Sequence, residues 1–154
     1  MNDIAWTKIS HFEGPEQSPG FLLWQVSTKW RREVEAALAT LNLTHPQFVL
    51  LASLGWLTRH YADVTQVELA RHCGTDVNMT SQVLRSLEQK EYIERHRRQG
   101  DERSKLPRLT EKGAKLVEQA IPLVEKVDDD FFGNLGQKSK KQYIDILQKL
   151  ARDE

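Results

Sequence analysis

Residues 65–113 read TQVELARHCGTDVNMTSQVLRSLEQKEYIERHRRQGDERSKLPRLTEKG, and the fold turns on this stretch. Thr65-Gln66-Val67-Glu68 is a capping box, in which a hydroxyl and a carboxylate three residues apart satisfy backbone donors at a helix start. The helix it opens carries Leu69 and Ala70 and is short, because Gly74 supplies a glycine for its C-terminal cap. Asn78 is a good N-cap for the next helix, which carries Val83, Leu84 and Leu87. Tyr92-Ile93-Glu94-Arg95-His96-Arg97 alternates weakly and reads as a strand. Gln99-Gly100-Asp101 is a turn signal. Lys105-Leu106-Pro107-Arg108-Leu109 returns as a second strand, with Pro107 implying an edge or a disrupted ladder. Thr110-Glu111 then opens a further helix, a capping hydroxyl followed by an acid at the positive end of the dipole.

Upstream, Leu23, Val26, Trp30, Val34, Ala37, Leu38 and Leu41 recur at spacings of three and four and predict an amphipathic helix over 21–41. Phe21 and Trp24 widen its apolar face. Residues 1–20, with Gly14, Pro15, Pro19 and Gly20, read as an arm with a packed segment around Ile4, Trp6, Ile9 and Phe12. Thr44-His45-Pro46-Gln47 is another capping box with proline in the first turn, and Phe48, Leu50, Leu51, Leu54 and Leu57 follow on its helix. Downstream, the helix from Thr110 continues through Leu116, Ala120, Val124 and Val127 to about Phe132, and Pro122 should kink or divide it. Gly133 to Gly136 ends it. A last helix, 138–151, places Tyr143, Ile144, Leu147 and Leu150 on one face.

Two short helices joined tightly and followed by a basic hairpin are the plan of a winged helix-turn-helix. The fold class expected is therefore mainly α with a small β-hairpin wing, the winged unit being flanked by N- and C-terminal dimerisation helices. The domains expected are an arm at 1–20, a helical dimerisation region at 21–42 and 114–154, and a DNA-binding winged unit at 43–113. The long flanking helices carry apolar stripes without an obvious partner in so small a centre, and a second copy would bury them.

The 154 residues suffice for one domain with a core. With 39% hydrophobic and 29% charged residues the chain belongs to the soluble globular class. No apolar run approaches the roughly 18 residues of a membrane span. The N-terminus lacks the charged and apolar regions of a secretory signal. The single cysteine, Cys73, excludes an intrachain disulfide, and a cytoplasmic setting fits. Net charge is zero, but its distribution is uneven. Arg95 to Arg108 holds six Lys/Arg against two acids, while the remainder holds 16 against 20. The positive charge is thus concentrated where the hairpin is predicted.

Leu43-Thr44-His45-Pro46-Gln47-Phe48-Val49-Leu50-Leu51 resembles the second-helix opening of the MarR family of bacterial transcription regulators. Thr65 to Ala70 resembles that family's third helix, and Asn78 to Glu88 with Tyr92 to Arg95 its recognition helix and first wing strand. Asp101-Glu102-Arg103 followed by Leu109-Thr110-Glu111-Lys112-Gly113 is similar to the family's Asp-x-Arg wing tip and Leu-Thr-x-x-Gly helix start. These motifs span about residues 43–113, and the flanking helices extend the resemblance over nearly the whole chain. Two departures are visible. The family usually has glycine where Glu91 stands, and Pro122 interrupts a helix the family generally uses for dimer contacts.

A recognition helix presents its N-terminal residues to base edges in the major groove. Here these are Asn78, Met79, Thr80, Ser81 and Gln82, with Arg85 one turn on. Gln82 suits adenine N6/N7, Arg85 guanine or a phosphate, and Met79 a thymine methyl. Thr80 and Ser81 suit phosphate contacts. The alternative is a solvated polar face. In the wing, Arg97, Arg98, Arg103 and Lys105 flank the turn, and Arg103 could enter a narrow minor groove. The resemblance assigns Asp101 to orienting that arginine, the alternative being an exposed ion pair of little worth. Arg95 and Arg108, near the hairpin base, pair with Glu94 or a neighbouring acid.

The resemblance also implies small aromatic or phenolic ligands held between the dimer helices and the winged unit. Phe21, Trp24, Trp30 and Trp56 are candidates to line such a pocket, with plain core packing as the alternative. Cys73 is a candidate redox switch, beside Arg71 and His72 in sequence but at the end of a short helix. No metal site is expected: His72 and Cys73 are adjacent, and the other histidines are scattered. Asp128-Asp129-Asp130 reads as a solvated acidic face. The chain holds no Gly-rich phosphate loop, nucleophile elbow or HExxH, so neither an enzyme nor a cofactor is expected. The function expected is a sequence-specific, dimeric DNA-binding regulator, a repressor released by a small aromatic or phenolic ligand. Its partners would be a palindromic operator with half-sites ~34 Å apart, a second copy of itself and a small-molecule effector, and no membrane. The alternatives are a winged-helix protein-interaction module and a redox-responsive regulator using Cys73.

Overall fold

A computed structural model describes residues 3–98 and 101–152, with the side chains of 97, 98 and 101–105 outside the described set. Seven helices and a hairpin follow one another as α1 (Trp6–Ile9), α2 (Pro19–Ala39), α3 (His45–Leu57), α4 (Gln66–Cys73), α5 (Val77–Gln89), β1 (Ile93–Arg98), β2 (Asp101–Leu109), α6 (Glu111–Phe132) and α7 (Gly136–Ala151). The winged helix-turn-helix plan is present. The chain divides into two compact units, Met1–Glu33 and Val34–Glu154.

In the first unit, α1 is a single turn, and a short 3-10 turn at Pro15–Gln17 leads into α2. No described residue of this unit is buried. Ile4, Trp6 and Ile9 are exposed and only Phe12 is half-buried, so the packed segment expected there does not form within the arm. One turn of helix cannot cover three large side chains.

The second unit is built around α3, which packs against α4, α5, α6 and β2. Leu50, Leu51 and Leu54 of α3 are buried, together with Val34 and Leu38 from the end of α2, Leu69 of α4, Leu84 and Leu87 of α5, and Ala120 of α6. Both capping boxes are made. Thr44 Oγ1 accepts from the Gln47 amide at 3.2 Å, and Gln47 Oε1 accepts from the Thr44 amide at 3.1 Å. The Thr65 and Glu68 pair repeats this at the start of α4. Gly74 ends α4 in the left-handed region, with φ +65°.

One expectation is corrected outright, and of the kink or division expected at Pro122 only the division is excluded. The N-cap of α5 is Asp76, whose carboxylate accepts from the Met79 amide at 2.8 Å, so Asn78 lies inside the first turn. Either side chain can cap, but the helical core face begins at Thr80, a polar residue that apolar periodicity does not count. Helix α6 runs undivided through Pro122. The ring removes one N–H from the ladder, and the helix continues on both sides with Ala120 and Val124 buried.

Candidate nucleic-acid interface

Helix α5 shows two faces. Thr80, Leu84 and Leu87, at i, i+4 and i+7, are buried against the second unit. Asn78, Gln82 and Arg85 have the same spacing and are exposed. Met79 and Ser81 are half-buried between the two faces. Arg85 Nη2 donates to Ser81 Oγ at 3.2 Å, which folds the guanidinium back along the helix and keeps it on the outer face. Thr80 is a correction to the sequence reading. Its side chain is fully buried, and its hydroxyl donates to the Asp76 carbonyl at 2.8 Å and lies 2.8 Å from Thr75 Oγ1. A group so enclosed holds the turn between α4 and α5 and is not available to a phosphate. Val77, exposed at the first position of α5, joins the outer surface, and a cap placed at Asn78 misses it by starting the helix two residues too late.

The hairpin pairs antiparallel, with Ile93 opposite Leu109, Arg95 opposite Pro107 and Arg97 opposite Lys105, and its register shifts between Arg97 and Arg98. The wing candidates Arg97, Arg98, Asp101, Arg103 and Lys105 have side chains outside the described residues. The hairpin root is described and is closely tied. Thr110 N donates to the Tyr92 carbonyl at 3.1 Å, and Thr110 Oγ1 to the Glu91 carbonyl at 2.6 Å. Lys112 Nζ donates to the Lys90 carbonyl at 3.0 Å. A Cβ at Gly113 would overlap the Tyr92 carbonyl, so only glycine lets the first turn of α6 approach this closely. Glu91 itself has φ +63°, the conformation that glycine adopts without strain.

Ion pairs extend from the root to both sides. Arg108 pairs with Asp63, between α3 and α4. Arg95 Nε lies 3.3 Å from a Glu88 carboxylate oxygen on α5, a charge contact without an aligned hydrogen bond, since Nε and Nη2 have no hydrogen-bond partner. Glu94 contacts His96 at 2.7 Å instead of Arg95. Sequence spacing could not find Asp63 or Glu88, because both are brought to the hairpin by tertiary packing.

Residues 43–105 match the sequence profile of the MarR family. An HTH-type transcriptional regulator of Bacillus subtilis, YdcH, is 45% identical over 145 residues, 94% of this chain and 97% of its own. A MarR family protein of Mycobacterium tuberculosis, solved in complex with salicylic acid, is 31% identical, with a TM-score of 0.66 over 86% of this chain and 96% of that one. The chain belongs to the MarR family. Its fold is shared at lower identity by BpsR of Bordetella bronchiseptica, with 23% identity and a TM-score of 0.82 over 94% of this chain and 99% of that one. The family is one of transcriptional regulators.

The candidate ligand residues of this MarR family chain fall in different settings. Phe21 lines a cavity of about 550 Å3 within the first unit, together with Trp6, Phe12, Glu13 and Pro15. Trp6 and Phe12 were read only as arm residues in sequence. Trp24 and Trp56 are exposed and Trp30 is half-buried. The guanidinium of Arg59 lies 3.5 Å over the Trp56 ring, a cation–π contact that keeps one ring face occupied. Cys73 is half-buried, and burial pushes its thiol pKa up against a smaller opposing hydrogen bond with Ser53. That favours the protonated thiol, whereas a redox switch needs the thiolate. Among the described residues there is no cluster of three His, Cys, Asp or Glu able to hold a metal ion, and no helix long and apolar enough to cross a membrane.

Proposed function

We propose that this chain acts as a dimeric regulator that reads a palindromic DNA operator through α5 and the β1–β2 hairpin. The observation that carries the reading is the outer face of α5. Asn78, Gln82 and Arg85 are exposed on a helix whose opposite face is fixed in the core, and these are side-chain types that pair with base edges. The hairpin that follows contributes Arg97, Arg98 and Arg103, with Asp101 and Lys105, to the same basic segment. Asn78, Gln82 and Arg85 read bases, Met79 contributes apolar contact, and Ser81 steadies Arg85.

A second copy supplies the other half-site. The apolar residues of α7, with Leu150 75% exposed, and those of the N-terminal half of α2 support this, since faces of this kind are ordinarily covered. An aromatic carboxylate is the effector class we favour. The salicylic acid complex of the Mycobacterium tuberculosis relative supports that choice, and so does the cavity within the first unit that Phe21 lines with Trp6 and Phe12. Repression is the favoured output, and a 32% identical Mycobacterium tuberculosis relative named as a repressor supports it. The ligand would act by changing the separation of the two α5 helices, so that both half-sites can no longer be engaged together.

The test is selection of bound sequences from a pool of random duplexes at several salt concentrations. Recovery of a palindrome, with log affinity falling linearly against log salt, is the expected result. Binding without sequence enrichment would remove the reading.

A further inference from the structure

Gln47 does two things at once. It is only 7% exposed, at the third position of α3, and its Oε1 is held by the Thr44 amide at 3.1 Å. Its Nε2 donates to Ser86 Oγ of α5 at 2.9 Å, across 39 residues of sequence. The amide is therefore fixed by its own helix before it reaches the recognition helix. Ser86 is half-buried, between the core face and the outer face of α5.

Apolar contacts hold α5 down but leave its rotation weakly defined. Leu84 and Leu87 are buried by a force that has no direction. Hydrogen bonds do have direction. Thr80 ties the first turn to Thr75, whose amide donates to the Ala70 carbonyl of α4 at 3.0 Å, and Ser86 pins a point roughly 9 Å further along the axis. Two directional contacts at separate heights set both the tilt and the rotation of a helix. The tolerance is small. A rotation of about 10° moves a side chain at the helix surface by roughly 1 Å, and base-edge hydrogen bonds survive only about half of that displacement.

We propose that Gln47 is a positioning residue for DNA readout, which through Ser86 fixes the rotation of α5 and hence the aim of Asn78, Gln82 and Arg85. This rests on the reading of α5 as the DNA-recognition helix. Gln47 lies on another helix, touches no base, and acts by removing rotational freedom from the helix that does.

The experiment measures affinity of the 154-residue protein, as the dimer proposed above, for its selected operator and for a mixed-sequence duplex of equal length. Ser86→Ala removes the acceptor, leaves the Thr44 cap intact and places a better helix former on α5, so the fold is kept. The operator-to-control affinity ratio should fall by roughly five-fold, the scale of one lost hydrogen bond, with control affinity unchanged. Gln47→Glu keeps an acceptor for the Thr44 amide and offers a second oxygen to which Ser86 can donate, and should preserve the parent's ratio. A purely structural role would lower thermal stability and both affinities together, leaving the ratio alone. A parental ratio in Ser86→Ala overturns the inference while leaving the DNA reading in place. An equal loss in Ser86→Ala and Gln47→Glu also overturns it. A parent protein that selects no operator removes the DNA reading and this inference with it.

Discussion

Helices α5 and α7 are alike in pattern and opposite in fate. Each places apolar residues at spacings of three and four along one face. In α5 that face is enclosed, with Leu84 and Leu87 fully buried. In α7 no residue is buried, and Ile144, Ile146, Leu147 and Leu150 are all exposed. Tyr143 meets Phe132 of α6 with ring centroids 5.3 Å apart, and the rest of the face lies open. Periodicity states that a face is to be covered and leaves open what covers it. The core of the second unit covers α5. Under the function proposed above, a second chain covers α7.

Truncating the enclosed face tests one side of this contrast. Leu84→Ala should cost about 3 kcal/mol, lowering the melting temperature by roughly 6–12 °C for a chain of this size. A melting curve superimposable on the parent's would mean that α5 is not held by its inner face. Leu150→Asp addresses the open face. It should leave helix content intact and convert the assembly to monomers in sedimentation velocity at micromolar concentration. Sedimentation as a dimer would exclude α7 from the seam.

The outer face of α5 is probed by Gln82→Ala, for which discrimination between operator and non-operator bases should weaken by about 1–3 kcal/mol at one base pair of each half-site. An identical selected sequence would exclude Gln82 as a base contact. Glu91→Gly should raise stability by up to about 1 kcal/mol, because it relieves a left-handed side-chain conformation at the end of the α5 connection. Chemical denaturation measures this, and a loss of stability would show that the Glu91 side chain contributes more than its backbone conformation costs. The smallest effect concerns Cys73. Its raised pKa means that the folded state retains the thiol proton beyond the pH at which the unfolded chain releases it. That contribution to stability is present below the unfolded pKa and is lost as pH rises through the folded value. Alkylation at neutral pH should therefore be slower than for an unfolded control peptide carrying the same cysteine. Equal rates would contradict a thiol shielded by burial.

The parts of the fold that could be read from sequence were those fixed by neighbouring residues. Thr44 with Gln47, Thr65 with Glu68, and Gly74 each determine a helix end through bonds made within four residues, and all three are present. The sequence reading places at Asn78 the cap that Asp76 in fact supplies, since both residue types cap well and the deciding residue, Thr80, is a polar side chain in a core position. The outer face of α5 was legible because it is the complement of Leu84 and Leu87. The partners of Arg95 and Arg108 were not, because Glu88 and Asp63 reach them only after the hairpin has packed. Trp24 and Trp56 illustrate the same limit, as their helical spacing carries no information on which surface, if any, lies against them.

The root of the hairpin has a mechanical consequence. Thr110 and Gly113 clamp the chain at Tyr92 by backbone contacts that admit no added side chain at position 113. The hairpin is thus a beam built in at one end. Its bearing is set where it is clamped, so residues added or removed at the far end alter its reach and leave its heading unchanged. Under the function proposed above, groove contacts at that end can be retuned by point changes or insertions without redesigning the body that carries them.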